Sequence, residues 1–323
     1  MLSVIIPYHN EPVGFIKETL RQIRNTIDVS PYEIIVVDDG SINPLVIQGE
    51  NIIRHETNKG VGAAFDTGVK AARYDNIFLS GSDIRYQKNG WAGRMIEEIR
   101  RDPRAFICTR TIGLSTARPE FLDFDHQKEK YKNYNGATIM LIDNHDVNPN
   151  LNTPTWYKSI LEGKWLPDYG PGKGTFDVPC IMGTAYGVSR AWYLYCDGFA
   201  GHRKWGTLEP YISLKSWLFG GSCKCASGIE TGHIFKPHGT HGTSQEEIIY
   251  NKMLVATLLF DDYKDLIGYL GDGAPVQFAE VAYKNNLDWI LAKREEYKEK
   301  TIIEMEQLLT KLDIHYEYET KIN

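Results

Sequence analysis

Ser3-Val4-Ile5-Ile6-Pro7-Tyr8-His9-Asn10-Glu11 and, further on, Glu33-Ile34-Ile35-Val36-Val37-Asp38-Asp39-Gly40-Ser41 are two apolar runs that stop abruptly in polar residues. Each reads as a buried strand. Val4, Ile5 and Ile6, like Ile34, Ile35, Val36 and Val37, show little polar alternation, as parallel strands covered on both faces do. Between them, Phe15, Thr19, Leu20 and Ile23 form one helical stripe. The unit is βαβ, and ligands in such sheets bind at the carboxyl ends of the strands. Those ends carry Tyr8-His9-Asn10 and Asp38-Asp39. No glycine-rich G-x-G-x-x-G turn follows either strand, so carboxylates stand where a dinucleotide site would present backbone N–H groups. Carboxylates suit hydrogen bonds to a base or ribose, or a bridging metal.

Strand and helix signals continue to about residue 110. His55 to Gly62 is a polar, glycine-bearing turn leading into a helix through Ala63 to Ala72. Asn76-Ile77-Phe78-Leu79-Ser80 is another buried strand and ends at Gly81-Ser82-Asp83-Ile84-Arg85. Trp91 to Arg101 reads as a helix and Ala105 to Thr109 as a strand. Residues 115–178 are rich in Asn, Asp, Lys, Pro and Tyr with weak periodicity, which predicts a loop-rich insertion able to shape an acceptor site. Order resumes at Val178 to Arg190. Trp205 to Gly221, Asn251 to Phe260 and Asn286 to Leu312 look helical.

Three units are expected: 1–110, a nucleotide-sugar-binding half; 111–245, an acceptor half holding the insertion 115–178; and 246–323, a helical extension. The last stripe, with Leu287, Ile290, Leu291, Met305, Leu308, Leu309 and Leu312, could pack on its own core or form a homodimer; its own core is the simpler case.

Composition sets bounds on this reading. The 323 residues carry a net charge of −6 and are 42% hydrophobic and 24% charged, the balance of a soluble globular protein. The sequence pI of about 5.9 does not favour wholesale nucleic-acid binding. Five cysteines, Cys108, Cys180, Cys196, Cys223 and Cys225, form no regular framework, which predicts a reducing, cytoplasmic setting. Cys223-Lys224-Cys225 lacks metal-knuckle spacing. The N-terminus runs directly into a strand, which predicts no signal peptide. No apolar run has the length to cross a bilayer.

The blocks V-I-I-P-Y-H-N-E and V-V-D-D-G-S closely resemble the N-terminal half of GT-A fold, family-2-like glycosyltransferases. Further blocks follow in the family's order: Asn58-Lys59-Gly60, Gly81-Ser82-Asp83-Ile84-Arg85, Trp205-Gly206 and Gly232-His233-Ile234-Phe235. The resemblance covers roughly 1–110 and 178–240. It implies an α/β, Rossmann-like mixed sheet, mostly parallel and flanked by helices, with a C-terminal helical extension. It also implies transfer of a sugar from a nucleotide-diphospho-sugar, with UDP the expected nucleotide, to a hydroxyl on a glycan, protein, small molecule or modified base.

Site roles follow from the resemblance residue by residue. Asp38 and Asp39 would read the base and the ribose or metal. Pro7, Tyr8, His9 and Glu11 would wall the nucleotide, with His9 standing where most relatives have tyrosine. Asn58, Lys59 and Gly60 form the family's turn, and Lys59, Arg85 and Lys236 are the candidate cations for the diphosphate. Gly81-Ser82-Asp83 occupies the place of the D-x-D motif, but Gly81 replaces the first acid. Asp83 would therefore hold a divalent cation, Mn²⁺ or Mg²⁺, alone on its strand, with Ser82 beside it.

Glu230 to Lys236 resembles the G-H-x-F-R/K block of polypeptide N-acetylgalactosaminyltransferases, where the histidine completes the metal site; His233 would pair with Asp83, and His238 and His241 follow closely. In the block resembling W-G-x-E-D, Glu209 is the sole acid and the expected general base of an inverting displacement. Two alternatives stand beside this: a retaining enzyme, and a catalytically weak nucleotide- or sugar-binding protein on the same fold.

Overall fold

A computed structural model describes residues 1–88, 90–114, 133–143, 159–183, 185–235 and 244–314. The strand β1 (Leu2–Tyr8), helix α1 (Val13–Thr26) and strand β2 (Tyr32–Asp38) form the βαβ unit that the apolar runs predict. β1 and β2 pair in parallel, from Leu2 beside Tyr32 to Tyr8 beside Asp38, so both runs end at one edge of the sheet. α1 buries Ile16, Thr19, Leu20 and Ile23, a stripe with helical period.

The chain continues through β3 (Asn51–Arg54), α2 (Val61–Ala71), β4 (Asn76–Ser80), β5 (Ile84–Tyr86), α3 (Trp91–Arg101) and β6 (Ala105–Leu114). Then come β7 (Asn133–Asp143), β8 (Ser159–Pro167), β9 (Thr175–Asp177), β10 (Ala185–Ser189), α4 (Arg190–Tyr195), α5 (Leu208–Leu218) and β11 (Ser222–Ile234). The C-terminal part is helical: α6 (Gln245–Leu259), α7 (Tyr263–Gly268), α8 (Ala274–Asn285), α9 (Leu287–Lys300) and α10 (Met305–Lys311). Among the described residues the sheet runs β3-β2-β1-β4-β10-β6-β11-β5, with β7 joined to β6 and β8, and β9 to β11. β1, β2, β3 and β4 are mutually parallel and β10 enters antiparallel. This is the mixed α/β sheet that the resemblance implies.

Successive side chains on a strand face opposite sides, and β1 divides accordingly. Val4 and Ile6 pack with Ile16, Leu20, Trp91 and Met95 of α1 and α3. Ile5 packs with Phe65 and Val69 of α2, in the cluster that also takes in α5 and α6. α5 is buried almost all round, and α6 is buried continuously from Ile249 to Leu259; such helices lie within a fold rather than on it.

Two stretches differ from the sequence expectation. Residues 133–143 and 159–167, expected as loop, are paired antiparallel strands. The predicted C-terminal helix from 286 is interrupted at Thr301–Glu304, where the Ile302 amide donates to Leu218 O at 2.9 Å at the end of α5. Its apolar stripe packs on the chain's own core, with Ile290, Leu308 and Leu309 buried. No helix among the described residues is long and apolar enough to cross a membrane.

Candidate active site

The carboxyl ends of β1, β2 and β4 open into a cleft of about 140 Å³. It is lined by Pro7, Tyr8, His9, Glu11, Asp39, Val61, Phe65, Gly81, Ser82, Asp83, Gly183, Trp205 and His233. Eight residues singled out from sequence are therefore brought together here: Pro7, Tyr8, His9, Glu11, Asp39, Ser82, Asp83 and His233.

The β1 end is held by short-range bonds. Tyr8 donates its hydroxyl hydrogen to Glu11 O at 2.5 Å. His9 Nδ1 donates to Asp39 O at 2.8 Å, which sets the ring beside the β2 end. Ser82 donates from Oγ to the Glu11 carboxylate, tying the β1 and β4 ends together.

The two neighbouring aspartates part company. Asp38 faces away from the cleft and is fully buried. Its oxygens accept from the Ser41 amide at 3.0 Å, the Leu45 amide at 2.9 Å and the Arg54 guanidinium. These donors hold its carboxyl below the usual range despite the opposing effect of burial. Asp39 faces the cleft, and its carboxylate accepts from His55 Nδ1 at 2.7 Å, the Lys59 amide at 2.9 Å and the Gly60 amide at 2.6 Å. The Asn58-Lys59-Gly60 turn thus clamps Asp39 through its backbone and does not itself line the cleft. Gly60 is required there: at φ +106 its added Cβ would lie 2.3 Å from the Lys204 amide nitrogen.

Arg85, a sequence candidate for the diphosphate, is placed elsewhere. It is 1% exposed, and Nη1 donates to Thr19 Oγ1 at 2.8 Å and Ile84 O at 3.0 Å. The Lys59 side chain is exposed and outside the lining. Lys236, His238 and His241 lie outside the described residues. The described lining includes three carboxylates, Glu11, Asp39 and Asp83.

β11 brings the distant histidine into place. It pairs antiparallel with β5, setting His233 opposite Ile84 and next to Asp83. His233 Nε2 lies 3.6 Å from Asp83 Oδ2. Two donor atoms on one ion with bonds of about 2.1 Å lie at most about 4 Å apart, so this pair fits a single cation. Imidazole with carboxylate suits manganese or another first-row metal. No group of three or more His, Cys, Asp or Glu that could hold a metal occurs among the described residues. The His233 ring packs against Phe235 and Trp165 at centroid distances of 4.5 and 5.8 Å.

The opposite wall rests on α5 and α6. Trp205, which the sequence places only within a motif, lines the cleft. Its turn is held by Asn251 of α6, whose Nδ2 donates to Arg203 O at 2.7 Å and Trp205 O at 3.1 Å. Glu209, in the first turn of α5, lies directly behind the lining residue Gly183: a Cβ added to Gly183 would fall 1.6 Å from Glu209 Oε1. Burial pushes the Glu209 carboxyl up, and the charge of Glu162 adds to the shift. The glycine thus lets the carboxylate approach the cleft. Gly183→Ala should displace that carboxylate by more than an ångström and lower transfer by about 100-fold, read as kcat with any accepted donor.

Residues 3–155 match the family model described as Glycosyl transferase family 2. The chain is 26% identical over 284 residues to polypeptide N-acetylgalactosaminyltransferase 8 of Drosophila melanogaster, covering 82% of this chain and 44% of that protein. It is 25% identical over 281 residues to polypeptide N-acetylgalactosaminyltransferase 10 of Rattus norvegicus, covering 82% and 43%. The chain therefore spans less than half the length of these curated relatives. Among solved structures, GalNAc-T7 with UDP, GalNAc and Mn²⁺ matches with a TM-score of 0.71 at 16% identity, over 97% of this chain and 56% of that one. S. aureus TarS 1–349 in complex with UDP-GlcNAc matches with a TM-score of 0.50 at 15% identity, over 98% and 93%. In sequence and in architecture the chain resembles GT-A glycosyltransferases, and in particular the polypeptide N-acetylgalactosaminyltransferases.

Proposed function

We propose that the chain is a glycosyltransferase that uses a nucleotide-diphospho-sugar, with UDP as the nucleotide, and requires a divalent cation held by Asp83 and His233. One observation carries this reading. His233 Nε2 lies 3.6 Å from Asp83 Oδ2, a carboxylate–imidazole pair at the carboxyl end of β4, in a cleft that Glu11 and Asp39 also line. A cation held by that pair would favour a diphosphate beside these carboxylates, because like charges at close range are costly. The likeness to a structure that contains UDP and Mn²⁺ supports the same choice.

When bound, the cation would offset the charge of the departing diphosphate. The acceptor hydroxyl oxygen forms a bond to the anomeric carbon as the bond to the diphosphate oxygen breaks. Glu209 takes the hydroxyl proton; its raised proton affinity suits it to that task. A single base acting in a direct displacement inverts the anomeric centre. Retention is the second reading, favoured by the position of Glu209 behind Gly183 rather than on the cleft surface. All five cysteines are buried free thiols, which supports a reducing compartment such as the cytoplasm as the working place.

The test is transfer from a panel of UDP-sugars to an acceptor library, with the anomer of the product assigned by NMR. An inverted product supports the Glu209 mechanism. A retained product replaces it with the second reading, and no turnover of any UDP-sugar, including its hydrolysis, contradicts enzymatic activity.

A further inference from the structure

The turn that carries Trp205 into the cleft wall has a backbone that local preference does not favour. Lys204 and Thr207 have φ of +44 and +61, and Gly206 between them has φ +96. A lysine or threonine rarely takes the left-handed region, and such a conformation persists only where its surroundings impose it. Two elements do so here. On the donor side, Lys204 O accepts from the Val61 amide at 3.0 Å, and Lys204 Nζ donates to Asn58 O at 2.6 Å. The turn is thereby joined to the Asn58-Lys59-Gly60 segment, whose amides clamp Asp39.

On the far side stands α6. Asn251 is fully buried, and both polar atoms of its amide meet the turn. Oδ1 accepts from the Arg203 amide at 2.9 Å, while Nδ2 donates to Arg203 O at 2.7 Å and to Trp205 O at 3.1 Å. An oxygen facing an N–H and a nitrogen facing carbonyls fix which way the group points. The neighbouring Tyr250 carries the Arg203 guanidinium over its ring at 3.9 Å. Ile248, one turn earlier, closes on Gly206 so tightly that a Cβ added there would lie 3.2 Å from it. Asn251 is 46 residues from Trp205 in sequence, so the bond is a tertiary contact rather than a local cap. The indole is 44% exposed, so its direction depends on the backbone that carries it.

We propose that Asn251 is a positioning residue that, through the 203–206 turn, holds Trp205 against the cleft and so sets the affinity for the nucleotide. The proposal rests on the reading of the cleft as a nucleotide-diphosphate site and adds a residue that touches no ligand itself. Loss of the Asn251 amide takes from the Arg203 and Trp205 carbonyls the donor they share, which is costly for buried groups. A turn with three residues at positive φ then has a ready route to relax, and the indole moves with it.

The test is calorimetric titration of UDP with Mn²⁺ across a double-variant cycle of Trp205→Ala and Asn251→Asp. The aspartate keeps the size of the side chain and the oxygen facing the Arg203 amide, but its ionised form has no hydrogen to donate. Each single variant should weaken UDP by about 10-fold. The double variant should bind no more weakly than Trp205→Ala alone, since Asn251 acts through that ring. Additive losses, about 100-fold in the double variant, overturn the proposal, because a merely structural role for Asn251 does not depend on the indole. Wild-type affinity in a folded Asn251→Asp overturns it as well. Should Asn251→Asp not fold, Asn251→Ala takes its place in the cycle. Unchanged UDP binding in Trp205→Ala, whose ring is half-exposed, overturns the proposal without either, since Asn251 then has nothing to position. Absence of UDP binding by the wild type is a separate result: it fails the nucleotide reading of the cleft itself, and the proposal with it.

Discussion

Asp83→Ala is expected to lower manganese-dependent UDP binding by about 100-fold or more. Loss of a partner that merely supports a metal ligand already costs about 10–100-fold in affinity, and Asp83 is the sole carboxylate of the described pair, 3.6 Å from His233 Nε2. Once the cation is lost, Glu11 and Asp39 remain in the lining and repel the diphosphate. The variant should therefore behave in manganese much as the wild type behaves in chelator. Unchanged, still metal-dependent UDP binding in Asp83→Ala would remove Asp83 from the metal site.

The second large effect is on turnover. Glu209→Gln should bind UDP with manganese as the wild type does and lose about 10²–10⁴-fold in kcat, the usual worth of a positioned base. The pH dependence has a definite sign. Only the ionised carboxylate accepts a proton, and burial followed by the Glu162 charge raises the Glu209 carboxyl above its ordinary value of 4.5. Transfer should therefore rise with pH along a limb centred above the ordinary glutamate range and reach a plateau at higher pH. Transfer near the original rate in Glu209→Gln would assign the base elsewhere.

The βαβ core was legible in the sequence because β1 and β2 are unbroken apolar runs, and the ends of such runs mark the ligand edge. Three features were hidden, each for a physical reason. The strand β3 has only four residues, exposed at both ends, too short for a periodic signal. In β7, Ala137, Ile139 and Leu141 alternate inward, a usable period-two signal, but Gly136 at φ +100 and asparagine-rich flanks interrupt it. The division of labour between Asp38 and Asp39 follows from strand alternation, which sends adjacent side chains to opposite faces; sequence names the pair but not which member faces the ligand.

Arg85 illustrates the same limit. Sequence places it beside the motif at the end of β4, yet β5 is buried throughout, and its guanidinium is directed to Thr19 of α1. His233 meets Asp83 only through the antiparallel pairing of β11 with β5, a contact between distant segments that the motif resemblance anticipated and local pattern could not. Glu162 and Lys252 carried no signal in the sequence, since they meet only where β8 and α6 pack together.

The central claim is that an acidic cleft binds a nucleotide diphosphate through a divalent cation. Calorimetric titration of UDP and of GDP, each with Mn²⁺ and with EDTA, tests it most directly. Tight UDP binding with manganese, weaker GDP binding, and loss of both in EDTA are expected. No nucleotide binding in either condition, or UDP binding indifferent to EDTA, would contradict it.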